Sequence, residues 1–386
     1  MGNKLFVSGA PSLSLSRDEL VRMLFRGNRS QALLQTVVHA RWTEDEVEWE
    51  RVSVTATLAV ASQARLPMLV ARPLGVVGPL PVVIFAHGTA KGKADASMTK
   101  QMQRYAREFG SASVSFDSRY HGERAGMTGS EEVEAMVAWP KERREQAYVD
   151  RLIDIWRSSV SSSSSSESEE VCLEDEERPF IYDSALDAMR VVDYIESLPL
   201  VFDASRVGMT GISLGGMIAW FAAAADERIR VVAPIIGVQH FSYAFDHDKF
   251  QGRVESIQRL FDEAAKDLKQ SAIDRHTFKA VIDKITPGLL DKYDAPNTLP
   301  LIAPRPLLIV NGELDHRCPI EAVEQLYRDL QEKHYAQAPK NISLVVGQGI
   351  KHAVSPDMWQ AIDNWFQTFL FVDALPITAT ATAAAA

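Results

Sequence analysis

Val207-Gly208-Met209-Thr210-Gly211-Ile212-Ser213-Leu214-Gly215-Gly216 holds the pattern Gly-x-Ser-x-Gly at its centre, with Ser213 between Gly211 and Gly215. A serine at the tip of a tight strand-to-helix turn sits in strained backbone, and the residues two before and two after it must be small for strand and helix to pass closely. The bare pattern arises by chance in about one chain in ten of this length, so its flanks decide. Asp203 to Arg206 reads as a turn-like lead into a short apolar strand, Val207 to Met209, and Leu214 to Ala225 is an Ala-rich apolar run of helical length. Ser213 therefore falls at a strand-turn-helix junction, where its hydroxyl is presented as a nucleophile. The bland alternative is a glycine-rich turn whose serine caps the following helix.

Outward from this junction the chain repeats one rhythm. Val82 to Ala86, Ser111 to Phe116, Val231 to Ile236, Pro306 to Val310 and Ile342 to Val346 read as strands. Between and around them, Ser97 to Phe109, Asp183 to Ser197, Ile320 to His334 and Pro356 to Phe371 read as helices. Apolar strands alternating with helices predict an α/β fold: a doubly wound, mostly parallel sheet covered on both faces. Upstream, Asp18 is expected to cap a helix running to about Phe25, and Arg51 to Val60 with Leu66 to Arg72 predict an antiparallel hairpin at the sheet edge.

The expected organisation is one domain over residues 18–375 between tails at 1–17 and 376–386. Two insertions interrupt it. Residues 123–180 contain a helical piece, Lys141 to Trp156, and a Ser/acid-rich loop, 158–177, expected to be disordered and read as a tolerated insertion rather than a regulatory one. Residues 239–304 are polar and helical in pattern, and predict a helical cap over the C-terminal edge of the sheet, where open α/β sheets bind ligands.

The 386-residue chain has a net charge of −10, of which −6 falls between Ser158 and Arg178. A mildly acidic body without a basic patch argues against nucleic acid as a partner. No apolar run of about 18 residues predicts a membrane span. Only Cys172 and Cys318 are present, which points to a reducing compartment. The start, Met1-Gly2-Asn3-Lys4-Leu5-Phe6, has Phe6 where a myristoylation signal wants Ser or Thr, and residues 1–17 carry only Lys4 and Arg17 as bases, few for a transit peptide. The cytoplasm is the expected location.

A serine hydroxyl needs a base to take its proton and an acid to orient that base. In this type of fold the order along the chain is Ser, acid, His. Pro306 to Val310 runs into Asn311-Gly312-Glu313-Leu314-Asp315, which puts Asp315 in the loop at the strand's C-terminal end with Glu313 as its rival. His352 follows the last strand. His334 precedes that strand, and His316 is too close to Asp315 in sequence to serve both it and Ser213. The oxyanion of an acyl transfer also needs backbone N–H groups aimed at it. Leu214, directly after the nucleophile, is expected to supply one, and the loop His87-Gly88-Thr89-Ala90 the other, from Thr89 with Gly88 or Ala90 as alternatives. His87 is read as structural.

His87-Gly88-Thr89, Asp117-Ser118-Arg119-Tyr120-His121-Gly122-Glu123-Arg124, the segment around Ser213, Asn311 to Asp315 and Lys351-His352 together resemble the α/β-hydrolase superfamily. Over about residues 80–370 the pattern is similar to acetyl xylan esterases, dienelactone hydrolases, prolyl-oligopeptidase-type catalytic domains and related plant and bacterial esterases. The resemblance implies a serine hydrolase with Ser213, Asp315 and His352 as triad. It departs from dienelactone hydrolases in having Ser where they use Cys, and from prolyl oligopeptidases in having no propeller before the core. The Asp117 to Arg124 loop is read as a brace for the site, with Tyr120 and Arg124 as the residues that could reach substrate.

These readings converge on hydrolysis of a small-molecule carboxylic ester through an acyl-serine intermediate, a chemistry that needs no metal and no cofactor. The alternatives are an amide or acyl-peptide hydrolase with the same triad, and a non-catalytic ligand-binding protein on the same scaffold. Phe241 and Tyr243 are the expected substrate-binding residues of the cap, with Phe245, Phe250 and Phe261 as further candidates; an aromatic stripe there is more often cap core than substrate contact. Sequence alone does not determine oligomeric state.

Overall fold

The computed structural model describes residues 15–26, 33–57, 61–126, 141–158 and 177–371. Chain order is α1 (Arg17–Leu24), β1 (Thr36–Glu44), β2 (Val47–Thr55), β3 (Arg65–Pro73), β4 (Leu80–Ala86), α2 (Ala96–Phe109), β5 (Ala112–Phe116), α3 (Lys141–Ser158), α4 (Tyr182–Glu196), β6 (Phe202–Ile212), α5 (Leu214–Ala225) and β7 (Ile229–Ile235). Then come five short helices, α6 (Phe241–Asp246), α7 (Gln251–Ser256), α8 (Gln258–Asp267), α9 (Arg275–Ile285) and α10 (Ala295–Thr298), followed by β8 (Leu307–Gly312), α11 (Ile320–Lys333), β9 (Ile342–Gly347) and α12 (Pro356–Phe369).

The nine strands form one sheet in the order β1-β2-β3-β5-β4-β6-β7-β8-β9. From β5 across to β9 every neighbouring pair is parallel, and β1, β2, β3 and β5 pair antiparallel. All seven residues of β4 are buried, as a strand covered on both faces requires. Helices α2 and α12 cover one face, packing Met98, Met102, Tyr105, Ile362 and Phe366 against Val83, Phe85, Ala233 and Val310. On the other face lie α4 and α5. All twelve residues of α5 are buried, so the nucleophile helix is covered on every side.

Three local expectations need correction. The edge strand is β1, not the predicted hairpin: β2 pairs with β3 from Val47↔Pro73 to Thr55↔Arg65, and β1 adds outside it. The β1–β2 turn, Asp45 and Glu46, has both residues at positive φ (49° and 64°) without the glycine that usually announces such a turn, and mostly exposed β1 has no apolar face to betray it. The cap of α1 is Ser16, whose Oγ accepts the Glu19 N–H at 3.2 Å while Glu19 Oε2 accepts the Ser16 N–H at 2.9 Å; Asp18 lies in the first turn. Asp203 to Arg206 belongs to β6, at a register shift between Leu80↔Phe202 and Val82↔Val207.

Helix α3 packs on the 239–304 helices through Trp156 Nε1–H, which donates to Asp267 Oδ2 at 2.9 Å, and an Arg259–Asp150 ion pair at 2.8 Å. Phe245, Phe250 and Phe261 stack around Phe278, with ring centroids 6.2, 4.6 and 5.7 Å from it. That stripe is a core of the 239–304 layer. The Ser/acid-rich stretch lies outside the described residues from 159 to 176, but its last member does not behave as loop. Glu177 is buried, accepting the Tyr120 hydroxyl at 2.5 Å and Arg151 Nε–H at 2.9 Å. The tail segments 1–14 and 372–386 likewise fall outside the described residues.

Candidate active site

The parallel strands deliver their C-terminal loops to one edge of the sheet. Ser213 follows β6, Asp315 follows β8, His352 follows β9, and Gly88 and Thr89 follow β4. Ser213 has φ 57° and ψ −110°, a conformation that non-glycine residues avoid and that an elbow imposes. The flanking glycines are needed for space: a Cβ on Gly211 would lie 2.4 Å from the Gly215 carbonyl oxygen, and one on Gly215 would lie 2.0 Å from that of Ala86.

Ser213 Oγ–H donates to His352 Nε2 at 2.8 Å, and His352 Nδ1–H donates to Asp315 Oδ2 at 2.8 Å. The second Asp315 oxygen accepts the N–H groups of Arg317 at 2.9 Å and Cys318 at 3.2 Å, so the carboxylate is locked in one orientation. Asn311 Nδ2 holds the same loop by donating to the Cys318 carbonyl at 2.9 Å. The acid and base loops are also tied to each other: Glu313 N–H donates to Gly347 O at 2.9 Å and Leu314 N–H to Ile350 O at 2.8 Å. Burial lowers the His352 pKa below the ordinary histidine value, more than the bond to Asp315 raises it, which keeps the imidazole neutral and able to accept a proton.

Gly88 lies against the nucleophile, since a Cβ there would be 3.4 Å from Ile212 O and 3.9 Å from Ser213 Cβ. Its carbonyl accepts the Lys91 N–H at 3.2 Å, closing a turn with Thr89 at its corner. His87 is buried and structural: Nδ1–H donates to Gly88 O at 2.8 Å and Nε2 accepts the Ser118 N–H at 3.0 Å. Leu214 opens α5 beside Ser213, where the first N–H groups of a helix have no intrahelical acceptor.

The Asp117–Arg124 loop is a buried brace. Asp117 accepts the Lys93 N–H at 2.7 Å and Nζ at 2.9 Å, while Arg119 and Arg124 each donate to Asp187 Oδ2 at 2.6 Å. Arg124 is fully buried, with both Nη groups bonded inside the protein, and the Tyr120 hydroxyl is engaged by Glu177.

The two cap residues expected to touch substrate differ in exposure, Phe241 being buried and Tyr243 half-buried. Phe241 is fully buried, with its ring 5.7 Å from the Arg253 guanidinium and its N–H donating to Asp294 Oδ1 at 3.0 Å. Tyr243 stacks on exposed His247 at 3.9 Å. Gln239 and Arg253 meet beside α5, where Arg253 Nε–H donates to Gln239 Oε1 at 2.9 Å; no linear motif announces this pair, because its members come from two segments brought together only by the cap. Rival histidines are accounted for: His316 is exposed and paired with Glu255 at 2.7 Å, and His334 caps the C-terminus of α11. Among the described residues no group of three or more His, Cys, Asp or Glu is placed to hold a metal ion, and no helix is long and apolar enough to cross a membrane.

This sheet order, the elbow and the helices on both faces define the α/β-hydrolase fold. Residues 182–371, which carry all of Ser213, Asp315 and His352, match the model of the prolyl oligopeptidase family. Among curated proteins the chain is 28% identical over 166 residues to a Bacillus subtilis (strain 168) protein named "Putative hydrolase YtaP", a match covering 43% of this chain and 46% of that one. It is 23% identical over 175 residues to a second protein of that organism, "Putative esterase YitV", covering 44% and 60%. The chain thus spans about half the length of the curated relatives it matches. The acetyl xylan esterase from Paenibacillus sp. R4 has the same fold, with a TM-score of 0.59 at 17% identity over 95% of this chain and 97% of that one. Acetyl xylan esterase 1 from Thermoanaerobacterium sp. JW/SL YS485 superposes with a TM-score of 0.57 at 16% identity over 92% and 93%.

Proposed function

We propose that the protein hydrolyses a small-molecule carboxylic ester through an acyl-serine intermediate, with Ser213 as nucleophile, His352 as base and Asp315 as its orienting acid. The observation that carries this reading is the continuous pair of 2.8 Å hydrogen bonds from Ser213 Oγ through the His352 ring to Asp315. His352 takes the Ser213 proton as Oγ attacks the ester carbon, then returns it to the leaving alcohol; water repeats the cycle on the acyl-enzyme. Asp315, held by two backbone N–H groups, keeps Nδ1 protonated and stabilises the imidazolium. The N–H groups of Leu214 and Thr89 receive the oxyanion, with the α5 dipole adding to the first. Names of the relatives and neighbours that include hydrolase and esterase support the ester. The prolyl oligopeptidase match favours an amide as the second reading. We place the enzyme in the cytoplasm, on the cysteine usage of the sequence.

Labelling with a fluorophosphonate followed by mapping of the modified peptide tests the nucleophile: the adduct is expected on Ser213, and an unlabelled protein would remove the hydrolase reading. Aryl esters of rising chain length compared with aminoacyl anilides then separate ester from amide, with faster turnover expected on the esters.

A further inference from the structure

Arg253 lies on α7 with 3% of its surface exposed, yet only neutral groups meet its guanidinium. Nε–H donates to Gln239 Oε1 at 2.9 Å and Nη1–H to Ser256 Oγ at 3.1 Å, and Nη2 reaches the same Gln239 oxygen and lies 3.6 Å from Met217 Sδ. Its plane faces the rings of Phe180 and Phe241 at 5.5 and 5.7 Å. Other buried arginines of the molecule, Arg119 and Arg124, share the Asp187 carboxylate; no carboxylate among the described residues pairs with Arg253. Burial pushes its pKa down to about 10, still far above neutrality, so the charge is kept with no carboxylate in contact, and Asp315 acts on it only from a distance. An unpaired buried charge is among the costliest things a fold can hold.

Gln239 adds a second, independent sign. It is fully buried, its Oε1 is consumed by Arg253, and its Nε2 donor has no partner. Donors converge here, and what is missing is an acceptor with negative charge. The place is next to the chemistry. Met217 lies one turn along α5 from the nucleophile, its N–H donating to Ser213 O at 3.0 Å. Gly252, the residue before Arg253, is pressed against the acid loop, since a Cβ there would lie 2.5 Å from His316 O. Although the whole protein is acidic, His352 itself feels the positive charges of Arg317 and Arg253.

We propose that Arg253 and Gln239 form a carboxylate subsite, selecting an ester whose acyl or alcohol part carries a second, free carboxylate, such as the hemi-ester of a dicarboxylic acid. The proposal rests on Ser213 being the nucleophile. The second N–H of Arg253 Nη1 and the free Gln239 Nε2–H can meet the two oxygens of a carboxylate, and the buried setting makes the pair selective against an uncharged chain.

The test compares 4-nitrophenyl hemisuccinate with 4-nitrophenyl butyrate, two acyl chains of equal length that differ in a terminal carboxylate. Wild type is expected to favour the hemisuccinate in kcat/KM by about tenfold or more. Arg253→Met should collapse that ratio while the melting temperature stays level or rises, because an uncompensated charge has been removed. Arg253→Lys should keep part of the preference, and Gln239→Leu should lower it, so the proposal remains testable if the Met variant fails to fold. Succinate, measured by calorimetry, is expected to bind wild type and not the Met variant, and to bind more tightly than inorganic phosphate. A wild-type ratio near one, a ratio unmoved by these variants, or equal binding of phosphate would each overturn the subsite. Fluorophosphonate labelling and butyrate turnover report separately on the hydrolase reading: an enzyme that labels at Ser213 but ignores the second charge loses the subsite alone.

Discussion

Glu313 Oε2 accepts the Gly349 N–H at 2.7 Å, so the carboxylate two residues before Asp315 is committed to the turn that leads to His352. The two acids that compete in sequence therefore hold the base loop in different ways, one bracing its backbone and the other orienting its ring. Asp315→Asn should lower kcat about ten-thousandfold by removing the acceptor that sets the His352 tautomer. Glu313→Gln keeps an oxygen that can accept from Gly349 and should stay within a few-fold of wild type. Steady-state kinetics on an aryl ester with the reverse ranking would move the acid to Glu313.

Replacing the nucleophile separates chemistry from strain. Ser213→Ala should remove about a millionfold of turnover. Ser213→Gly should be equally inactive but more stable than the alanine variant by about 1 kcal/mol, because only glycine is at ease at φ 57° and ψ −110°. Denaturant unfolding of the two variants checks the order; equal stabilities would mean the elbow carries no strain.

Activity should fall on the acid side as His352 takes up a proton. Burial lowers its pKa below the ordinary value, so the midpoint of the acid limb of kcat/KM should lie below about 6.5. Turnover is full above that midpoint and is lost as pH falls through it. A midpoint above 7 on a neutral ester would show that the bond to Asp315 outweighs desolvation.

Stability should fall over the same range for a different reason. His121 is fully buried against Tyr148, donates Nδ1–H to Arg119 O at 2.8 Å, and has its pKa pushed down to about 3, chiefly by desolvation. The unfolded chain takes up this proton near pH 6.5 and the folded protein does not, so stability is complete above about 6.5 and declines as pH drops toward about 3. At pH 5 this single residue should cost about 2 kcal/mol relative to neutral pH. Chemical unfolding at pH 7 and pH 5 should show that loss in wild type and a smaller one in His121→Phe; identical slopes would remove His121 as its source.

Glu177 marks where the acidic run becomes part of the fold. Residues 159–176 are serine- and acid-rich with little apolar surface to bury, so replacing them with a short Gly-Ser linker should leave the melting temperature within about 2 °C of wild type. Glu177→Gln weakens the contacts to Tyr120 and Arg151 and should cost about 1–3 kcal/mol by denaturant unfolding. A neutral Gln variant would place the boundary after Glu177.

Local pattern was enough for the sheet and the nucleophile. Continuous apolar runs such as Leu80 to Ala86 have one stable solution, a strand buried on both faces, and the small residues around Ser213 are forced by contacts within one strand-turn-helix unit. The order Ser213, Asp315, His352 could likewise be read along the chain, since each ends a strand and parallel strands bring their C-terminal loops to a single edge. Assignments that depend on what a side chain meets across the molecule came from the tertiary structure. Asp315 is favoured over Glu313 in sequence by its place at the far side of the turn, but only the pairing of the β8 and β9 loops gives one to the ring and the other to a backbone N–H. The edge strand β1 has no apolar face to mark it, because solvent covers most of it. Phe241 is a substrate-contact candidate in sequence and a buried ring in the cap, and nothing along the chain announces that the same cap takes Arg253 out of water with no acid in contact. Burial and partnership are properties of the assembled fold, and a residue's own neighbours in the chain do not encode them.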